Sequence, residues 1–176
     1  MKSFKHLLIA VAMLPAICLA QVQVLGFELG TSTEQQVRSK LGKSAQIGDV
    51  GTNKFTGGQQ FKTGGEGYGI EGLTEVFYIF DKDQKLAGVL MEMGNSRFDE
   101  VFGFLSGKYK VTAQERPFVG NKFGRFKAKG ATIELNAPHM SFEMQANYIR
   151  DDLYAQFKTQ SAQEATKKQA SEKSKF

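Results

Sequence analysis

Cysteine is almost absent from this chain. Its one example, Cys18, lies in an apolar stretch near the N-terminus, so neither disulfides nor thiolate chemistry is available to the residues that follow. Histidine is nearly as scarce, with only His6 and His139. Zinc sites usually draw on several His or Cys ligands, and beyond the first twenty residues a single imidazole remains. No hydrophobic run after residue 19 approaches the roughly 20 apolar residues of a membrane-spanning helix. The fold must therefore rest on packing, for which the chain holds 15 phenylalanines.

What the N-terminus does have is a short basic region, Lys2 and Lys5, followed by "LLIAVAMLPAICL" from Leu7 to Leu19. A basic start and an apolar core of this length form the pattern of a secretory signal peptide, with Cys18 and Ala20 as the small residues before cleavage. A lipoprotein anchored through Cys18 is the rival reading, but "PAI" lacks the small residue that a lipobox places before its cysteine. The expectation is a signal peptide over 1–20 and a periplasmic or secreted protein. The remainder suits one domain over 21–159, followed by a tail over 160–176 rich in Lys, Gln, Ser, Ala and Glu. The formal charge of +5 for the whole chain is mildly basic and does not by itself suggest nucleic acid.

Hydrophobic spacing organises the domain. In "GTSTEQQVRSKLG", Thr31 and Glu34 have capping-box spacing, Val37 and Leu41 share a face, and Gly42 can close a first helix. "NSRFDEVFGFLSGKY" predicts a second helix, capped by Asn95 or Ser96, with Phe98, Val101, Phe102, Leu105 and Tyr109 in one apolar stripe. "LTEVFYIF" and "LAGVLMEM" read as a hairpin over Leu73–Met93. "ATIELNA" alternates, and "MSFEMQANY" predicts a strand with Met140, Phe142 and Met144 inward. A third helix is expected after Asp151, with Leu153 and Phe157 docking. "VGTNKF" (Val50–Phe55) and "VGNKF" (Val119–Phe123) echo one another, each followed by Phe-Lys and then strands. The echo suggests candidate repeats over 26–93 and 94–150. The expected fold class is α+β: an antiparallel sheet with helices packed on one face, two tandem αβββ units as its candidate plan, and a polar C-terminal helix or tail.

"VRSKLGK", Val37 to Lys43, with Thr33 and Gln36 before it, resembles the helix of the SmpA/OmlA outer-membrane assembly lipoproteins. The beta-lactamase inhibitory proteins are similar in build, with a helix followed by antiparallel sheet in two repeats. The resemblance implies a small periplasmic α+β module that works by binding protein. It carries over the build alone, and no functional residue.

Chemical motifs are sparse. Gly67, Gly69 and Gly72 match G-x-G-x-x-G, but a dinucleotide site needs a strand before and a helix after, and here a strand follows. Asp81, Asp83 and Glu92 partly match a calcium loop, yet Lys85 and Leu86 replace its oxygen ligand and its glycine, which leaves a charged hairpin turn. "NKFGRFKAKG" interleaves Lys122, Arg125, Lys127 and Lys129 with Phe123 and Phe126. Such a run is commonly the wet face of a strand whose aromatics turn inward, and with Arg116 it is also the first candidate surface for an acidic protein or an anionic envelope component. No cofactor or metal is expected.

His139 carries any histidine-dependent chemistry. Pro138 cannot donate to a sheet ladder, so "NAPH" reads as a bend between strands with His139 near a sheet edge. Ser141 would sit too far along that strand for a direct hydrogen bond, and no nucleophile elbow is present. The expected function is a non-enzymatic binding protein, an assembly factor or inhibitor. The alternatives are a carboxylate-dependent hydrolase assisted by His139 and a carrier with an apolar cavity between helices and sheet.

Overall fold

A computed structural model describes residues 22–42 and 45–175. The expected signal peptide with Cys18, and Lys43–Ser44, lie outside the described residues. The described residues open with a short ribbon of β1 (Gln23–Val24) and β2 (Phe27–Glu28), which leads to helix α1 (Glu34–Leu41). Four strands follow: β3 (Ile47–Thr52), β4 (Gly57–Gly64), β5 (Leu73–Asp81) and β6 (Leu86–Gly94). A 3₁₀ turn at Asn95–Arg97 then opens α2 (Phe98–Lys108). Four further strands are β7 (Lys110–Glu115), β8 (Lys122–Ala128), β9 (Ala131–Ala137) and β10 (Glu143–Arg150), before α3 (Asp151–Lys173).

β3 to β10 form one antiparallel sheet in the order β3-β4-β5-β6-β10-β9-β8-β7. This is the expected α+β class. Each of α1 and α2 is followed by a four-strand meander, and the two meanders join where β6 pairs with β10. The apolar patterning anticipated three strands per helix. The additional ones, β3 and β7, are the two edges of the sheet, where no residue is fully buried and the apolar signal is too weak to mark the strand. The echoed segments occupy corresponding places. Val50–Phe55 runs through the β3–β4 bend and Val119–Phe123 through the β7–β8 bend, and the fully buried Phe61 and Phe126 lie in the second strand of each meander.

The cap of helix α1 lies two residues beyond the anticipated one. Thr33, not Thr31, closes it: the Gln36 N–H donates to Thr33 Oγ1 (3.2 Å) and the Thr33 N–H donates to Gln36 Oε1 (2.9 Å). Val37 and Leu41 are buried as expected. α1 lies over the first meander, where the Arg38 guanidinium sits 4.3 Å from the Phe61 ring centre. α2 covers the second meander, burying Phe98, Phe102 and Leu105, with Phe102 5.1 Å from Phe126. Neither Asn95 nor Ser96 caps α2 through its side chain. Asn95 holds a distant loop instead.

The side chains under α1 and α2 make one continuous core across both meanders, including Val76, Tyr78, Val89, Met91, Ile133, Leu135, Met144 and Ala146. Burial holds the Tyr78 phenol well above its usual pKa, and its hydroxyl meets that of Tyr68 (3.0 Å), which in turn meets Thr63 Oγ1 (2.7 Å). Tyr68 thereby pins the β4–β5 loop. The three glycines of the G-x-G-x-x-G match lie in this loop at positive φ, so they serve a turn and not a phosphate cradle. At the β5–β6 hairpin, Asp81 Oδ1 accepts the N–H groups of Asp83 and Lys85, the charged turn anticipated there.

A candidate binding groove on the open face of the sheet

α3 lies against the opposite face of the sheet from α1 and α2. Leu153 is buried against Ile79 and Ala87, with Phe55, Leu90 and Ile149 around them, a small second core. Phe157 meets Phe55 edge-on at 5.4 Å. The start of α3 is tied down by charge. Arg150 donates to Asp81 Oδ2 (2.7 Å) and to both carboxylate oxygens of Asp152 (2.6 and 2.7 Å), while Lys127 and Thr132 donate to Asp151. The bond from Arg150 holds the Asp152 carboxyl below the usual carboxylate range. Beyond Phe157 the helix is largely exposed.

Between α3 and the sheet runs a groove of about 690 Å³. Its floor alternates with the buried core along each strand. Phe77, Ile79, Leu90, Phe123 and Ile149 supply apolar surface, and Phe55, Leu153 and Phe157 form a wall. Among these stand the amides of Asn53, Gln60, Asn136, Gln145 and Asn147, and the carboxylates of Glu92 and Glu134. Gln145 donates to Glu92 (3.2 Å), and Asn53 donates to Gln60 (2.9 Å). Asn136 and Asn147 make no side-chain hydrogen bond to another described residue, which leaves their donors and acceptors for an occupant or for water.

The basic residues singled out in the sequence do not form one patch. Arg116 and Lys122 lie on the α2 side, both hydrogen-bonded to Asp99 (2.7 Å for each closest contact). Those two bonds, Lys122's foremost, hold the Asp99 carboxyl below its usual range. Arg125 and Lys127 point to the open face, where Arg125 pairs with Glu134 (2.7 Å) and Lys127 with Asp151. Lys129 is exposed in the β8–β9 turn. Phe126 turns inward as anticipated, but Phe123 turns the other way and lines the groove. With four of the five cations ion-paired, the strand presents mixed charge.

His139 sits at the end of the sheet, exposed in the β9–β10 turn and outside the groove. Its backbone N–H donates to Asn121 Oδ1 (2.7 Å), and its imidazole has no partner among the described residues. The bend at Pro138 is as anticipated, but β10 begins only at Glu143. Met140, with φ of 62°, and Phe142 are therefore exposed loop residues and not core, and only Met144 of that trio is buried. Periodicity could not show this, because the apolar alternation continues into the loop without a break. The groove itself was also missed. On β5 and β6 its floor residues sit between core positions in strands that are apolar on both faces, and on β9 and β10 they are mainly the polar positions of alternating strands, which read as an ordinary wet face. Comparison with protein-family models, curated proteins and solved structures finds no match for this chain.

Proposed function

We propose that the protein is an exported, non-enzymatic binding protein that receives an extended segment of a partner protein in the groove between α3 and the open sheet face. The groove's lining carries this reading. Apolar floor residues offer sites for alternate side chains of an extended peptide, and the amide row offers hydrogen bonds to its backbone. Asn136 and Asn147 decide between occupants: a purely apolar ligand would bury their amides unpaired, at about 1–3 kcal/mol each. Glu92 adds a site suited to a basic side chain of the segment.

A small-molecule carrier is the second reading, favoured by one observation, since about 690 Å³ lies within the usual range of ligand pockets. His139, outside the groove, gives little support to a hydrolase. Capture from periplasmic extract tests the proposal. The native chain should retain a protein that is lost when Asn147→Trp fills the groove, and retained when Lys129→Glu alters an exposed turn outside it. Partner capture unchanged by Asn147→Trp would reject the groove as the binding site. A low-mass ligand co-purifying with the native chain but not with Asn147→Trp would favour the carrier.

A further inference from the structure

The β7–β8 and β9–β10 loops stand side by side at one end of the sheet, since Lys122 pairs with Ala137 at the strand ends and Asn121 accepts the His139 N–H. Together they display four large apolar side chains almost wholly to solvent: Phe118 (101% exposed), Phe142 (94%), Met140 (91%) and Val119 (69%). Single exposed apolar residues are ordinary, but four on two adjoining loops form a patch. None of the four lines the groove, and none belongs to the function proposed for it.

Part of the β9–β10 loop's backbone is satisfied without water. The Pro138 carbonyl accepts from Ser141 N–H (3.3 Å) and from Asn95 Nδ2 (3.1 Å), and the Ser141 carbonyl accepts from the same Asn95 amide (2.8 Å). The Phe142 carbonyl accepts the Asn95 N–H (2.8 Å), and the Glu143 N–H donates to Ser141 Oγ (3.1 Å). These bonds lower the desolvation cost of bringing the loop to interfacial depth, where water and headgroups can still meet the Met140 and Phe142 N–H groups. Asn95 supplies three of these bonds, which explains why it caps no helix. The clamp also holds Met140 in a left-handed conformation that a side chain larger than glycine rarely adopts.

From this arrangement we infer that the two-loop tip inserts Phe118, Val119, Met140 and Phe142 into the interfacial zone of a phospholipid bilayer, as a peripheral anchor independent of the groove. A bilayer fits better than a protein pocket for two reasons. Phe118 borders a surface depression beside Pro117 and Arg116, but Phe118, Met140 and Phe142 are each more than nine-tenths exposed, so little on this chain frames them as half of a shaped interface. Charge gives no handle either: Arg116 and Lys122 share Asp99, and Glu115 and Glu143 lie at the neighbouring strand ends. The insertion is therefore apolar, and anionic lipid and salt should matter little.

The chain contains no tryptophan, so Phe142→Trp in the full-length protein is a unique local reporter. Its emission should shift to shorter wavelength on adding phosphatidylcholine vesicles, and be quenched by brominated acyl chains. The shift should be equal when phosphatidylglycerol is included and should persist in high salt. Phe104→Trp, exposed on α2 away from the loops, serves as the control and should not shift. Adding Phe118→Ser with Val119→Ser to the Phe142→Trp protein should remove at least half of the shift. Because the reporter is local, an N-terminal apolar segment reaching the vesicle elsewhere does not mimic this result. An unshifted Phe142→Trp in both vesicle types overturns the inference, as does a shift of the same size at Phe104→Trp. A shift seen only with phosphatidylglycerol and lost in salt overturns it as well, and a shift seen only with a captured protein transfers the tip to a protein partner.

Discussion

Gly124 shows how closely the fold depends on single atoms. It lies in β8 beneath α2, and a Cβ built there would stand 2.9 Å from two carbons of the Phe102 ring and 3.2 Å from Phe126. Both rings belong to the main core, so neither can swing into solvent to make room. The absence of a side chain in β8 is what lets α2 approach the sheet. Gly124→Ala should therefore destabilise the protein by about 1–3 kcal/mol through overpacking, read as a lower urea midpoint at unchanged slope. Gly103, on α2 with open space around its Cβ position, is the matched control. There Ala should stabilise slightly, since glycine is the poorer helix former. Equal midpoints for the two variants would show that α2 adjusts freely over β8.

At the scale of elements, α3 differs from the other two helices. α1 and α2 bury apolar stripes, whereas α3 is held mainly at its first turns, by Leu153, Phe157 and the Arg150 ion pairs. Asp152's carboxyl is held low by its bond to Arg150, so the pair contributes stability that is present above the unfolded value of about 4 and is lost as pH falls through the lower folded value. Solvent screening keeps the contribution of so exposed a pair within about 1 kcal/mol. Protection factors in the first turns of α3, corrected for the intrinsic pH dependence of amide exchange, should accordingly fall below about pH 4, while those in the central strands stay high. Arg150→Met should give fast α3 exchange already at neutral pH and flatten the acid dependence. These helices also mark what sequence periodicity can read. The α2 stripe and the β5–β6 hairpin were legible because one buried face imposes a period. β3 and β7 were not, since edge strands bury almost nothing. The side on which α3 docks was equally hidden, because Leu153 and Phe157 look the same whichever face of the sheet receives them. The basic residues of β8 were visible as charges, but their carboxylate partners, Asp99, Glu134 and Asp151, come from elsewhere in the chain and only folding brings them in.

For the whole molecule, the decisive contact is the seam between β6 and β10. It pairs Met93 with Met144, Met91 with Ala146 and Val89 with Tyr148, all on the face covered by α1 and α2. The main core runs through this seam without interruption. Cutting the chain between Gly94 and Asn95 would leave one half with α1 and a four-strand meander and the other with α2, a four-strand meander and α3, units of roughly 70 to 80 residues whose ratio of surface to core is poor. It would also turn β6 and β10 from the centre of the sheet into long apolar edges, the kind of surface that drives aggregation. Neither 22–94 nor 95–175 should fold alone, although each has a complete local plan. The intact chain should unfold in one transition, with far-ultraviolet circular dichroism and tyrosine fluorescence coincident. If either fragment gave a dispersed, concentration-independent NMR spectrum, the seam would be a contact between two finished domains. If both fail singly and recover on mixing, the seam is where folding is completed. The groove depends on the same closure, since its floor draws Phe77 and Leu90 from one half and Phe123 and Ile149 from the other. A charge at the seam, Met144→Lys, should then abolish partner capture and cooperative unfolding together, whereas Asn147→Trp, on the opposite face of the same strand, should abolish capture alone.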